Sequence, residues 1–100
     1  MTIDDSLGDL TETERRRRRL LFRATHRGTK ENDLMIGGYV AARLAALTDA
    51  EMDALEAVME ISDTDLADWL TGRRPIPAED DSPMLRAILA YVTAGGAHRA

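Results

Sequence analysis

The chain has 100 residues, a net charge of −5 and no cysteine. That length fits one domain, and the lack of cysteine excludes disulfides, thiolate metal sites and cysteine nucleophiles. The negative net charge argues against a protein that binds nucleic acid over its whole surface. No window approaches the roughly 20 apolar residues of a membrane-spanning helix, and the acidic N-terminus does not resemble a secretory signal. We therefore expect a cytoplasmic protein with no membrane insertion.

The first helix is predicted over residues 12–27. Thr11 and Glu14 have the spacing of a capping box, in which each side chain accepts a hydrogen bond from the other residue's backbone N–H. Gly28 suits the position after the helix, because glycine adopts a positive φ without a steric penalty. The polar and acidic residues 1–10 before this helix are expected to be a disordered tail.

Charge is distributed unevenly along the chain. Five consecutive arginines occupy Arg15–Arg19, and every charged residue in the range 15–30 is basic. In the range 31–68 every charged residue is acidic except Arg43. Because a helix turns about 100° per residue, the five arginines must point all round it. They form either a solvated surface or a docking face for an acidic partner or phosphates.

The second helix is predicted to start at Thr29 or Lys30, with Thr29 as a plausible N-cap. Gly37 and Gly38 lie inside it, although each costs roughly 1 kcal/mol relative to alanine in a helix. Close approach of another backbone, from a neighbouring helix or a partner, would explain them. The core-facing side chains have helical spacing: Ile36, Val40, Leu44 and Leu47.

Three further helices are predicted over residues 49–61, from Ser62 to a stop at Gly72, and from Ser82 to the Gly95–Gly96 pair. Trp69 is expected to anchor the short fourth helix in the core. Few residues are aromatic or β-branched, which favours helices over strands.

The predicted fold is therefore all-α: a single small five-helix bundle over residues 11–94, between an N-terminal tail and a C-terminal tail at residues 95–100. Helices this short are stable only when they pack together.

The sequence carries little sign of catalytic chemistry. It lacks a phosphate loop, a dinucleotide fingerprint and a nucleophile elbow, and its two histidines, His26 and His98, have no partners at metal-ligand spacing. The acidic helices after Gly28 would be repelled by phosphate, which leaves the basic first helix as the one candidate for non-specific nucleic-acid contacts. We expect a module that binds another macromolecule rather than an enzyme.

The motif Arg27-Gly28-x-x-Glu31, followed by Asp33, resembles the signature of the succinate dehydrogenase assembly factors. These small proteins promote covalent attachment of FAD to the flavoprotein subunit. The stretches Leu20-Leu21-Phe22-Arg23 and Asp63-x-Asp65-Leu66-x-x-Trp69-Leu70 are similar to the family's first and fourth helices, so the resemblance covers about residues 14–93. Asn32 departs from it, because many bacterial members have leucine there.

The resemblance implies a five-helix bundle that is not an enzyme and that acts in the manner of a chaperone. Its partner would be the flavoprotein subunit of succinate dehydrogenase, with the fumarate reductase flavoprotein as a further partner and no nucleic acid. FAD would act in the partner, whose histidine it joins, and would not be bound by this chain itself. Some members have been described as antitoxins, so an antitoxin-like or basic-helix nucleic-acid or protein-binding module is the alternative.

Carried over by position, the implied partner-binding residues are Arg27, Gly28 and Glu31, with Asp33 and Arg23 in second rank. No catalytic or metal-binding residue is implied. The spacing alone has another interpretation, in which Arg27 and Gly28 end one helix and Glu31 stabilises the first turn of the next.

Overall fold

The structure is a computed structural model that describes residues 10–96. Within that range the chain forms no strand, and the five-helix bundle predicted from the sequence is confirmed. The helices are α1 (Glu12–Thr25), α2 (Lys30–Arg43), α3 (Asp49–Met59), α4 (Asp63–Leu70) and α5 (Pro83–Thr93), with 3-10 turns at Leu44–Ala46 and Ala78–Asp80. None of these described helices is long and apolar enough to cross a bilayer.

The predicted disordered tails fall almost wholly outside the described residues. Of residues 1–10 the structure describes Leu10, and of residues 95–100 it describes Gly95 and Gly96. The division of the chain into two tails and a domain over residues 11–94 therefore stays a prediction.

Each helix begins at a side-chain cap that the sequence provides. In the capping box of α1, the Thr11 hydroxyl accepts a hydrogen bond from the Glu14 backbone N–H at 3.0 Å, and the Glu14 carboxylate accepts one from the Thr11 N–H at 2.9 Å. The Thr11 N–H thereby lowers the pKa of the Glu14 carboxyl below its ordinary value. Thr48 and Glu51 repeat the arrangement at α3. The N-caps of α2, α4 and α5 are Thr29, Ser62 and Ser82.

Helix α1 ends at Thr25, earlier than the predicted Arg27. The Thr25 hydroxyl donates to the Leu21 carbonyl at 2.8 Å, and Nδ1 of His26 donates to the Phe22 carbonyl at 2.8 Å. The Phe22 carbonyl is the acceptor that the His26 backbone N–H would need to continue the helix, and the imidazole bonds it instead, at the point where the helix stops and the chain turns.

Helix α3 also ends earlier than predicted, and α2 ends before Leu44 and Leu47, the last members of its predicted core-facing series. The residues after Met59 bond three positions back, as in the 3.0 Å bond from the Ile61 N–H to the Val58 carbonyl, so α3 does not reach Ile61. Helix α2 stops at Arg43, and the 3-10 turn that follows it carries the chain to Leu47, which is fully buried.

The core is built mainly from aliphatic side chains and methionine. Trp69 is 4% exposed, which confirms its predicted role as a core anchor. Helix α1 packs on α2 and α3, while α5 packs on α2, α3 and α4. The fully buried members of the core include Ile36, Val40, Leu47, Met52, Leu55, Leu66, Leu85 and Ile88.

The two glycines inside α2 have different surroundings. A Cβ on Gly37 would lie 2.7 Å from Cγ2 of Thr25 and 3.2 Å from the Ala24 carbonyl oxygen. A Cβ on Gly38 would instead meet the Tyr91 hydroxyl at 3.0 Å, the far end of a side chain. The predicted close approach of a neighbouring backbone is therefore found at Gly37, where α1 crosses α2.

We predict opposite effects of alanine at these two positions. Gly37→Ala should lower the free energy of unfolding by about 1–3 kcal/mol, because overpacking against α1 exceeds the gain in helix propensity. Gly38→Ala, the matched control, should be neutral or stabilising by up to about 1 kcal/mol. Urea unfolding followed by circular dichroism measures both. Equal stability of the two variants would contradict the tight contact at Gly37.

Candidate functional site

The α1–α2 turn, residues 26–29, carries the motif that the sequence singled out. Gly28 has φ +107°, and a Cβ placed on it would meet nothing within 4 Å. Glycine is therefore favoured by the backbone conformation and not by crowding. The Arg27 backbone N–H donates to Oδ1 of Asp33 at 2.7 Å. A side chain near the start of α2 therefore holds the backbone of the α1–α2 turn in place.

The Arg27 side chain points inward, onto the α3–α4 turn. Its Nη1 donates to the Met59 carbonyl at 3.0 Å, its Nη2 to the Ile61 carbonyl at 2.9 Å, and its Nε to Oδ1 of Asp63 at 2.6 Å. The side chain is only 10% exposed. The rigid planar guanidinium matches this fan of acceptors and satisfies carbonyls at the C-terminus of α3 that lack helical partners.

Asn32 joins the same cluster and was not predicted to be part of a site. It is fully buried, and its Nδ2 donates to the Asp63 carbonyl at 2.9 Å and to Oδ1 of Asp63 at 3.1 Å. Its own Oδ1 has no partner in the described part of the chain. One Asp63 carboxylate oxygen thus accepts from both Arg27 and Asn32. The departure from leucine at Asn32 was the one sequence feature that marked this position.

Glu31 is accessible. Its side chain is 51% exposed, and Oε1 lies 3.6 Å from Nη2 of Arg73, a residue that sequence reasoning did not assign to the site. Arg73 also lies 3.5 Å from the Asp68 carboxylate. The α4–α5 linker therefore delivers a basic side chain to the motif.

An apolar groove of about 430 Å³ opens beside Glu31, between α2, α4 and α5. Leu34, three residues after Glu31 and hence on the same side of the helix, is 41% exposed at this groove. A carboxylate beside an open apolar groove is a reasonable place for a partner to dock. Further lining residues are Met35, Leu70, Leu89 and Val92.

Arg23, the remaining predicted site residue, lies on the exposed surface of α1. Its Nη2 is 3.4 Å from Oε2 of Glu60, and both side chains are largely solvated, so this pair contributes little to stability. The structure thus divides the predicted site residues by accessibility. Arg27 and Asp33 are engaged internally, whereas Gly28, Glu31 and Arg23 face solvent.

Part of the arginine run is used inside the bundle. Arg16 bonds the carboxylates of Asp53 and Glu56 on α3, which raise its pKa, with Asp53 the larger cause. Arg17 donates to the Leu47 carbonyl at 2.9 and 3.2 Å. Two of the five arginines on α1 therefore bond groups in the chain that follows α2.

No metal centre is present among residues 10–96, where no cluster of three or more histidine, aspartate or glutamate side chains could hold an ion. His26 bonds its own helix, and His98 lies outside the described residues. The groove beside Glu31 has neither a basic nor an aromatic lining residue, so it does not suit the pyrophosphate and rings of FAD.

We predict that Arg27→Ala lowers the free energy of unfolding by about 2–3 kcal/mol, because it leaves the Met59 and Ile61 carbonyls without their donor and the Asp63 carboxylate without its cation. Arg23→Ala is the matched control and should change it by less than about 0.5 kcal/mol. Urea midpoints measured by circular dichroism compare the two. If Arg27→Ala were as stable as Arg23→Ala, the capping role of Arg27 would be wrong.

Comparison with known proteins places the chain in a family. A family model described as the flavinator of succinate dehydrogenase matches residues 18–92. The chain is 50% identical over 74 residues to the FAD assembly factor SdhE of Acetobacter pasteurianus. The aligned stretch covers 74% of this chain and 68% of that protein. It is 34% identical over 82 residues to the mitochondrial succinate dehydrogenase assembly factor 2-B of Drosophila melanogaster, covering 79% of this chain.

A more distant relative is the mitochondrial succinate dehydrogenase assembly factor 2 of Dictyostelium discoideum, 25% identical over 80 residues and 80% of this chain. The chain spans 57% of the Dictyostelium protein and 52% of the Drosophila one. No solved structure matches. The range that the family model matches includes α2, α3, α4, the α1–α2 turn and every predicted site residue. The chain belongs to the flavinator family of succinate dehydrogenase, the family of its assembly factors.

Proposed function

We propose that this chain binds the flavoprotein subunit of succinate dehydrogenase and promotes covalent attachment of FAD to it. Family membership is the observation that carries the proposal: the matching model covers residues 18–92, and the bacterial relative that is half identical is named an FAD assembly factor. As a flavinator, the chain is an assembly factor for succinate dehydrogenase.

The docking surface of this proposal is the Gly28–Glu31 segment with the groove beside it. Apart from Gly28 and its two chain neighbours, the described residues place no heavy atom within 4 Å of the position of a Gly28 Cβ, so a partner's backbone can approach closely. The Glu31 carboxylate is held by one exposed contact with Arg73 at 3.6 Å. Such a surface pair is weak, and a donor on the partner can replace Arg73. The apolar groove then supplies area to bury.

Arg27 and Asp33 serve this surface indirectly. Arg27 holds the turn onto the α3–α4 turn through Asp63, and Asp33 accepts the Arg27 backbone N–H. Both therefore position the exposed residues of the motif. Arg23, on the exposed surface of α1, stays a second-rank contact in this proposal.

The proposed action is positional and needs no catalytic group on this chain. Covalent attachment requires the partner's histidine and the 8α carbon of the flavin to be held in a reactive arrangement. Stabilising such an arrangement can lower a barrier by roughly several kcal/mol. The groove does not suit FAD, which supports a cofactor that stays in the flavoprotein, and an action of this kind requires no enzymatic activity of this chain.

The flavoprotein of fumarate reductase is proposed as a further partner, since it presents the same kind of subunit to the same surface. The cytoplasmic location, the absence of a nucleic-acid partner and the antitoxin-like alternative stay predictions from the sequence. Nucleic-acid binding by the basic helix is less favoured now, because Arg16 and Arg17 are engaged inside the bundle.

Glu31→Ala should reduce covalent flavin on the co-expressed flavoprotein subunit about tenfold, as loss of a central interface contact does. The melting temperature of the chain should be unchanged, since the Glu31 side chain is half exposed. In-gel flavin fluorescence of the denatured subunit measures the product. Gly28 is a poorer probe, because its positive φ strains any other residue.

Glu79→Ala is the control, since Glu79 is also exposed and makes no ion pair within the described range. It should support full flavinylation. Full flavinylation with Glu31→Ala would refute the assignment of the docking surface. A wild-type chain that never associates with the flavoprotein subunit would refute the function itself.

A further inference from the structure

The second half of the arginine run is left outside the bundle's internal contacts. Arg18 makes no hydrogen bond or ion pair within residues 10–96. Arg19 pairs with Glu12 at 3.2 Å, but its side chain is 60% exposed and that of Glu12 is 73% exposed. Arg16 and Arg17, by contrast, contact α3 and the Leu47 carbonyl. Contacts within the described residues therefore explain the presence of Arg16 and Arg17 but not that of Arg18 and Arg19.

Phe22 lies on this same exposed side of α1. It is 61% exposed, and its ring stacks on His26 with centroids 3.9 Å apart and planes 16° apart. The His26 ring is fixed in turn, because its Nδ1 donates to the Phe22 carbonyl at 2.8 Å. A single exposed hydrophobic residue is ordinary. A stacked pair locked by a hydrogen bond is preorganised for contact, so less conformational entropy is lost on binding.

Arginines surround this aromatic pair. Arg18, Arg19 and Arg23 line a shallow depression together with Phe22. The acidic partners within the described residues, Glu12 for Arg19 and Glu60 for Arg23, are themselves solvated, so both pairs can be exchanged at little cost. A rigid aromatic side chain flanked by arginine has the composition of a binding hot spot.

We infer that this surface, the arginine–phenylalanine face formed by Arg18, Arg19, Phe22, Arg23 and His26, binds an acidic surface segment of the flavoprotein subunit that carries an apolar side chain. This inference rests on the proposed function and adds a second contact to it. His26 adjoins the Arg27-Gly28 motif in the chain, so the face continues along α1 from the docking turn. Its basic charge selects an acidic partner segment and orients the encounter.

A polypeptide fits this face better than a nucleic acid. The net charge is −5, and the acidic residues that follow the turn would repel an extended polyphosphate. A short acidic segment needs only the local patch, and Phe22 gives it an apolar contact that phosphates would leave unused. A second copy of this chain is also disfavoured as the partner. In a symmetric pair the arginines of the two copies would face each other and repel.

The test measures binding of the purified chain to the flavoprotein subunit of succinate dehydrogenase by calorimetry at low and high salt. Phe22→Ala should weaken binding about tenfold, as removal of an aromatic anchor does. Arg18→Glu should weaken it about fivefold or more at low salt and reduce its salt dependence. Both residues are exposed, so thermal melting should be unaffected.

Arg86→Glu is the matched control. It makes the same change in net charge at another exposed arginine, on α5, and should stay within about twofold of the wild type. Equal losses for Arg18→Glu and Arg86→Glu would reduce the effect to net charge and overturn the inference.

The remaining outcomes separate this inference from the proposed function. If Phe22→Ala and Arg18→Glu bind like the wild type while Glu31→Ala does not, the inference fails and the proposed function stands. Failure of the wild type to bind overturns both. Self-association of the chain that Phe22→Ala abolishes, with unchanged flavoprotein binding, would assign the face to a second copy and overturn the inference.

Discussion

The Arg27 guanidinium is the contact on which the geometry of the site depends. It joins the α1–α2 turn to the α3–α4 turn through acceptors that lie 32, 34 and 36 residues further along the chain. The Met59 and Ile61 carbonyls that it satisfies lie where α3 ends and have no helical donor, and Asp63 would otherwise sit beside buried Asn32 without a cation. Removing the guanidinium therefore uncouples two turns at once, and an unsatisfied polar group at such a place is costly.

This inward-pointing side chain decides what the motif presents outward. With Arg27 tied to the core and its N–H bonded to Asp33, the chain reverses at Gly28 in a left-handed conformation. Helix α2 then begins at Lys30, after the Thr29 cap, and Glu31 in its first turn is exposed. The residues of one short motif thus have different roles. Arg27 and Asp33 hold the turn through hydrogen bonds, and Gly28 adopts the positive φ that the turn requires. Glu31 is the residue that the turn presents to solvent.

Much of the fold could be predicted from local sequence, because helix starts are local events. Thr11 with Glu14 and Thr48 with Glu51 satisfy each other across three positions, so their spacing alone locates α1 and α3. Helix ends were less predictable. At the stop after Thr25 the imidazole of His26 bonds the Phe22 carbonyl, which the next backbone N–H would need to continue the helix.

The site was predicted less completely, for a physical reason. An Arg-Gly-x-x-Glu spacing is the same whether the arginine faces solvent or the core, and the acceptors of Arg27 lie more than 30 positions away. A direct partner-binding role required both Arg27 and Glu31 to be accessible, and of the two only Glu31 is. Arg73 and Asn32 join the site only through tertiary contacts, so local spacing could not indicate them, although the departure from the family's leucine marked Asn32.

The arginine run is understood only when the sequence is combined with the tertiary contacts of the fold. Consecutive basic residues near a helix N-terminus oppose the helix dipole, so some other interaction must favour them. For Arg16 and Arg17 that interaction is the packing of α1 against α3 and the Leu47 carbonyl. At 100° per residue the next two side chains turn away from those acceptors, and the fold gives them no comparable contact. Contacts within the fold therefore do not explain the positive charge of Arg18 and Arg19, which lies beside the stacked Phe22–His26 pair. In the inference drawn above, an acidic segment of the partner provides the favourable interaction.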